Sequence, residues 1–460
     1  MQSCILKLSE MDLKDRLTVE HYISDNLELI QELSQARNDL VPLGKYALVR
    51  GGKRLPQKAQ YSETGVPYIR VVDIGAFEVE MNNVVYISQE LHKKVERYQL
   101  KYNDVAIVIV GATIGKVAIF KSRTSPCNFN ENLARITVKD KQLNPDYLVT
   151  YLQSLYGQAY VYWLTGGSAQ AKLSLERIKR IQVPLPPRDV QDRIAQVMQD
   201  AYATRQANLA EAESLLAGID GYVLEQLGIS LGESVDKKRF LVKASRFAGR
   251  RFDIGPYANE FDVEEATASS WVELQELAKL PRKSKVASRT PNNEFAYVGM
   301  PDVDDIMAEV NIQQLLGSEI KANKAVFKGG DIVFARIEPC IYNRKIAMIP
   351  KEAGEVLGST ELLVARAKQG VLPEFLLWIL RSEFIQRQIA GRMTGTTGRR
   401  RLPNSTFTRL KIPKVPMELQ KKLAEEAMRR RDQAKRLRAE AESVVAEAKA
   451  QVARMILGEG

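Results

Sequence analysis

Apolar residues recur at Ile194, Val197, Met198 and Ala201, then at Leu215, Leu216, Ile219, Val223 and Leu227, with polar and charged residues between them. This spacing is helical and predicts one amphipathic helix over residues 187–228. Pro184, Pro186 and Pro187 end what precedes it and suit a helix start. At 1.5 Å per residue such a helix is about 60 Å long. The device recurs near the end of the chain. Pro413-Lys-Val-Pro416 opens a second breaker-poor run, which predicts a helix over 417–457.

Ahead of each helix the pattern changes to short β-branched runs. Pro67–Asp73, Asp104–Val110, Gly115–Phe120, Leu133–Val138 and Ile181–Pro186 read as strands, and Asp146–Leu155 as a short helix. Together they predict a mixed, mostly-β domain over 41–186. A polar N-terminal arm, 1–40, precedes it and carries a helix from Ser24 to about Ala36. A charged connection, 229–271, leads to a second domain over 272–416. There Tyr297–Asp302 answers Tyr68–Asp73, Asp331–Ala335 answers Asp104–Val108, and Leu362–Arg366 answers Leu133–Ile136. Pro373–Leu376 answers Pro145–Leu148, Arg409–Pro416 answers Lys179–Pro186, Gln420 answers Gln191, and Arg251–Tyr257 answers Arg16–Tyr22. The offset stays at about 230 residues, far too long for a solenoid repeat. The chain is a tandem duplication. Its expected fold is α+β: two tandem mostly-β domains, each followed by a long α-helix. The helices are expected to pack as an antiparallel, coiled-coil-like spacer with pseudo-two-fold symmetry.

Charge changes the picture. The 460 residues carry a net +11 and a pI near 9.3, which favours polyanionic partners. Cys4, Cys127 and Cys340 are scattered and form no CxxC pair, so a disulfide framework is excluded and a reducing compartment fits. His21 and His92 are the only histidines, which leaves little for zinc sites or histidine-based triads. No apolar run approaches the length of a membrane span, and the N-terminus lacks a signal-peptide core. A soluble cytoplasmic protein is expected.

A duplicated domain with long spacers suits a target that also has two separated parts, and duplex DNA fits the charge. Candidate contacts lie in basic, glycine-containing loops. Arg50, Lys53 and Arg54 form one group; Ser168, Gln170 and Lys172 another. Thr396, Thr397, Arg399, Arg400 and Arg401 occupy the counterpart loop of the second repeat, and Lys283, Lys285 and Arg289 make a further cluster. The arginines at 429–431, 436 and 438 on the second helix read better as a solvated face or a protein-docking site. Pro301-Asp302 with Glu319-Ile-Lys321 matches the loose PD-(D/E)xK nuclease pattern, in which carboxylates hold a metal and the lysine assists a water. The first repeat keeps Asp73 but has no matching ExK. Val110–Lys116 is not a phosphate loop, since Val117 follows the lysine and only three residues separate its glycines. No NPPY-like methyltransferase motif and no dinucleotide fingerprint occurs, so the chain reads as non-catalytic.

These residues resemble the specificity subunit of type I restriction–modification systems over nearly the whole chain. The first half carries Gly65-Val-Pro-Tyr-Ile-Arg-Val-Val-Asp-Ile74, Val110-Gly-Ala-Thr-Ile-Gly-Lys116, the Asn128–Leu133 stretch and the Pro-Leu-Pro-Pro entry to a long helix. The second carries Arg336–Ala347 and Gly358-Ser-Thr-Glu361. The resemblance implies two target-recognition domains, each reading one half of a bipartite, asymmetric site in double-stranded DNA. It adds Thr113, Lys116, Arg336, Asn343 and Lys345 to the expected DNA contacts. It also implies helices that fix the half-site spacing and dock two methyltransferase subunits, for which Gln191, Ile194, Met198, Gln420 and Leu423 are the expected contacts. A restriction–translocase subunit joins that core. S-adenosylmethionine, ATP and magnesium are expected on the partners, and no cofactor on this chain. The readings set against it are a stand-alone PD-(D/E)xK nuclease and a helical scaffold that binds no DNA.

Overall fold

The apolar run at Asp104–Val110 becomes an inner strand of an antiparallel sheet in a computed structural model. The structure describes residues 25–123, 126–165, 172–232, 261, 263–266, 270–281, 291–320, 325–396 and 400–459. The chain divides into two units, Met1–Ala207 with Glu440–Gly460, and Asn208–Ala439.

The first unit holds β1 (Leu40–Pro42), β2 (Ala47–Gly51), β3 (Val66–Ile69), β4 (Val85–Ile87), β5 (Val105–Val108), β6 (Val117–Ile119), β7 (Asn128–Phe129), β8 (Leu133–Val138) and β9 (Gln182–Pro184). A four-stranded sheet runs β2-β8-β5-β6, a smaller one β4-β3-β7, and β1 pairs with β9. All four residues of β5 are buried, because both faces of the strand are covered. Val105 and Ile107 meet Tyr147, Leu148 and Tyr151 in one core cluster, whereas Ala106 and Val108 meet Phe120 and Phe129 in another. That alternation is the two-residue period of a strand. Tyr147 and Tyr151 lie on α2 (Pro145–Gln153), which follows α1 (Asp25–Ser34) and precedes α3 (Leu155–Thr165). Leu33 of α1 is fully buried in the same cluster, so the helical part of the N-terminal arm is built into the domain core.

The second unit repeats this plan. Its strands are β10 (Trp271–Glu273), β11 (Ala278–Lys279), β12 (Glu294–Val298), β13 (Gln313–Leu316), β14 (Ala325–Phe327), β15 (Ile332–Ala335), β16 (Ile346–Met348), β17 (Val356–Gly358), β18 (Leu362–Ala367) and β19 (Lys411–Pro413). They form β11-β18-β15-β16, β13-β12-β17-β14 and the pair β10-β19. The parallel pairs β3–β7 and β12–β17 correspond, with Tyr68 and Tyr297 at equivalent points. Polar anchors repeat as well. Asp104 accepts from the Lys101 amide at 2.6 Å, as Asp331 does from Lys328 at 2.8 Å. Arg366 adds two bonds to Asp331, at 2.6 and 2.7 Å, and that carboxylate is fully buried. Arg366 is partly exposed and can turn to water, so Asp331→Ala is expected to cost about 1–3 kcal/mol through the lost hydrogen bonds to Arg366 and the Lys328 amide, read as a lower urea midpoint for the second unit.

The central helix is continuous from Arg188 to Gln226, and the terminal helix from Met417 to Leu457. Each contributes to both units. In the first, Ile194, Met198 and Ala201 share a core with Val445, Val452 and Ile456, and Arg205 pairs with Glu442 at 3.1 Å. In the second, Gln433 donates to Glu211, Arg430 to the Gly218 carbonyl and Lys422 to Gln226. One number falls as the other rises, so the helices run antiparallel there.

Gln191 and Gln420 hold the starts of these helices. The Gln191 Oε1 accepts from the Asn144 amide at 2.8 Å, and its Nε2 donates to the carbonyls of Gln142 and Pro186 at 2.8 and 2.9 Å. Gln420 makes the same three bonds, accepting from Leu372 and donating to Gly370 and Val415. Both side chains are buried.

Candidate nucleic-acid interface

In the first unit one end of the β2-β8-β5-β6 sheet gathers three loops. The end of β2 leads into Gly52 and Lys53. The Gly52 amide donates to the Leu133 carbonyl at 2.9 Å, at the start of β8. A Cβ on Gly52 would lie 1.9 Å from the Asn130 carbonyl oxygen, so only glycine lets the loop lie against that turn. Past the end of β5, the Ile109 amide donates to the Asn132 carbonyl at 2.8 Å. The chain then turns through Gly111–Lys116, where Gly115 has φ +87° and a Cβ there would meet Val161 at 2.7 Å. The third loop returns at Lys172, which bridges Val110, and Leu173 donates to the Ile109 carbonyl at 3.1 Å.

The second unit builds the same end with different side chains. The Arg336 amide donates to the Glu361 carbonyl at 3.0 Å, and Leu402 donates to the Arg336 carbonyl at 2.9 Å. Arg401 bridges Ile337 there, as Lys172 bridges Val110. The register thus sets Arg336 in the place of Ile109, Glu361 in that of Asn132, and Arg401 in that of Lys172. Where the first unit has a glycine turn, the second has a one-turn helix, α4 (Glu338–Tyr342), whose Tyr342 side chain is 53% exposed.

The expected DNA contacts separate into several groups. Arg50, Lys53, Thr113, Lys116 and Lys172 are exposed at the sheet end of the first unit. Arg54 is exposed too, but pairs with Glu131 at 2.5 Å, which raises its pKa through the hydrogen bond and the charge. Thr396, Asn343, Arg400 and Arg401 lie at the corresponding end of the second unit. Arg400 pairs with Glu338 at 3.1 Å and Arg401 with Glu361 at 2.9 Å. Lys345 is spent inside the fold, its Nζ donating to the carbonyls of Met300 and Val303 at 3.2 and 3.1 Å. Arg336 is half-buried and donates to the Leu402 carbonyl at 3.1 Å. Ser168, Gln170, Lys283, Lys285, Arg289, Thr397 and Arg399 lie outside the described residues. Glu361 and Asn132 stand in the sequence only as members of the Gly358–Glu361 and Asn128–Leu133 motifs; their place beside the strand ends follows from register.

The five side chains expected to dock partners point inward. Gln191, Ile194 and Met198 are buried in the first unit, Gln420 and Leu423 in the second. They hold the helices to their domains and offer no exposed surface for docking. The arginine run on the terminal helix is largely paired: Arg429 and Arg430 with Glu426, Arg431 with Asp432. Two arginines on one carboxylate pull the Glu426 pKa down to about 2. The nuclease-like carboxylates cap turns. Asp302 accepts from the Gly299 amide at 2.7 Å, as Asp73 does from Arg70, and Glu319 accepts from the Leu316 amide at 2.8 Å. Lys321 lies outside the described residues. Among the described residues no helix is long and apolar enough to cross a membrane.

Residues 39–214 and 269–427 match the family described as type I restriction modification DNA specificity domain. Over 156 residues the chain is 29% identical to the EcoBI specificity subunit of Escherichia coli, covering 34% of this chain and 32% of that protein. Over 149 residues it is 31% identical to the EcoEI specificity subunit of the same organism, covering 32% of this chain and 25% of that protein. The matched stretch thus spans about a third or less of either relative. A solved structure described as the structural basis of complex assembly and conformational transition of the type I R-M system superposes at TM-score 0.53 and 13% identity. It covers 91% of this chain and 96% of that one. The chain belongs to the type I restriction–modification DNA specificity family, whose domain it carries twice. That family's role is specificity, not catalysis.

Proposed function

We propose that this chain is the DNA-reading subunit of a type I restriction–modification complex, each unit recognising one half of a bipartite, asymmetric duplex site. The observation that carries this reading is the sheet end built twice. Two backbone bonds, from Ile109 to Asn132 and from Leu173 to Ile109, recur in the second unit as Arg336 to Glu361 and Leu402 to Arg336, yet the side chains beside them differ. A duplicated frame with unlike contact residues suits two unlike half-sites. The exposed lysines and arginines supply sequence-independent attraction to phosphate. The two long helices set the distance between half-sites and dock two methyltransferase subunits and a restriction–translocase subunit. S-adenosylmethionine, ATP and magnesium belong to those partners, and the complex works in the cytoplasm.

Mapping methylated adenines in DNA from cells that carry this chain with its methyltransferase tests the proposal. A two-part motif with an unread gap is expected; methylation without any sequence motif would sink it. Within that complex, Lys53→Ala with Lys116→Ala should weaken binding and reduce the slope of log affinity against log salt by about two units. An unchanged slope would place both lysines away from phosphate.

A further inference from the structure

We infer that Glu361 and Arg401 are the base-discriminating pair of the second unit, that they read a G·C base pair, and that Asn132 and Lys172 occupy the corresponding reading position in the first. The inference rests on the DNA-reading function proposed above. Its starting point is register. Arg336 donates to the Glu361 carbonyl as Ile109 does to Asn132. Leu402 donates to the Arg336 carbonyl as Leu173 does to Ile109. These bonds hold 361 and 402 on Arg336, and 132 and 173 on Ile109, at the end of the sheet; in the second unit the neighbouring Arg401 side chain reaches Glu361.

The two pairs differ in chemistry. Arg401 Nε and Nη2 meet the two oxygens of Glu361 at 2.9 and 3.0 Å, and both side chains are partly exposed, at 42% and 30%. A guanidinium is thereby held beside a carboxylate at the surface. In the major groove, guanine offers two acceptors, N7 and O6, and its cytosine offers one amino donor. Arginine suits the guanine edge and glutamate the cytosine amino group. A carboxylate also repels phosphate, so this pair is suited to bases and not to the backbone. Asn132 and Lys172 carry no negative charge. An amide both donates and accepts, and an ammonium tolerates any acceptor, phosphate included. The first unit thus places no arginine–carboxylate pair at this register position; its Arg54–Glu131 pair starts one residue earlier, at Glu131.

The test uses the complex with its methyltransferase. The methylation motif is mapped for the wild type, Glu361→Gln, Arg401→Lys and the double variant Asn132→Ala/Lys172→Ala. Glu361→Gln and Arg401→Lys should each relax one G·C position in one half-site and cut methylation of the original site about 10- to 100-fold. The other half-site should stay as it was. The double variant should alter only that other half-site. If the assembled Glu361→Gln and Arg401→Lys complexes keep the wild-type motif, or change both halves together, the inference is overturned. Arg401→Lys preserves a cation and its main-chain bridge, so it remains informative should Glu361→Gln fail to assemble. A wild-type complex that methylates no defined motif would instead refute the underlying function.

Discussion

Lengthening both long helices by seven residues, between Ala207 and Asn208 and between Ala439 and Glu440, is expected to widen the unread gap by about three base pairs and leave both half-sites unchanged. Seven residues of helix add about 10.5 Å, and duplex DNA rises about 3.4 Å per base pair. Seven also approximates two helical turns, so the apolar stripes return nearly to their original faces. The insertion must be matched. The helices are tied by Gln433 to Glu211, Arg430 to Gly218 and Lys422 to Gln226 in one unit, and by Arg205 to Glu442 in the other. A seven-residue insertion into the central helix alone would slip one set of these contacts past its partners and should yield a misassembled protein. Methylated-adenine mapping reads the outcome. If the recognised bases change while the gap stays constant, the helices do not set the spacing.

Gln191→Leu is expected to destabilise the first unit by about 2–5 kcal/mol, and Gln420→Leu the second by a similar amount. Leucine fits the space but satisfies none of the three backbone groups that each glutamine serves. One N–H and two carbonyls are then left buried or strained, each a penalty of about 1–3 kcal/mol before relaxation. Against a total stability of about 5–15 kcal/mol for a domain, this is a large share. Urea unfolding of the purified chain measures it. The opposite result, unchanged unfolding with loss of methyltransferase co-purification, would show that these glutamines face a partner after all.

The duplication was legible because both repeats keep residues that the fold needs at fixed points. Asp104 and Asp331 cap the turn before an inner strand, Tyr68 and Tyr297 open a parallel pair, and Gln191 and Gln420 lock a helix start. Helix boundaries were legible from proline and from the apolar period, with Arg188–Gln226 and Met417–Leu457 inside the expected spans. The role of those two glutamines was not. A stripe shows which face is apolar but not what covers it, and polar side chains at a helix start suggest a surface. The covering came from elsewhere in the chain, from Asn144 and Leu372. Basic loops were visible by composition, although composition cannot tell a lysine facing solvent, such as Lys116, from one bonded to carbonyls, such as Lys345. Asn132 and Glu361 were legible as members of motifs, but not which strand end they sit beside.

The first unit borrows a segment from the far end of the chain, Glu440–Gly460, whereas the second is one continuous stretch that begins inside the central helix, at Asn208. This has a consequence for heredity. Cutting the gene at the connection near residue 232 releases no self-sufficient half, since the first fragment lacks the terminal-helix face that covers Ile194 and Met198. An exchange of the strand-rich stretch alone, with crossovers in the sequence encoding the helices, leaves those paired faces whole. Any helix segment carried along in such an exchange must keep the apolar stripe that fits Val445, Val452 and Ile456.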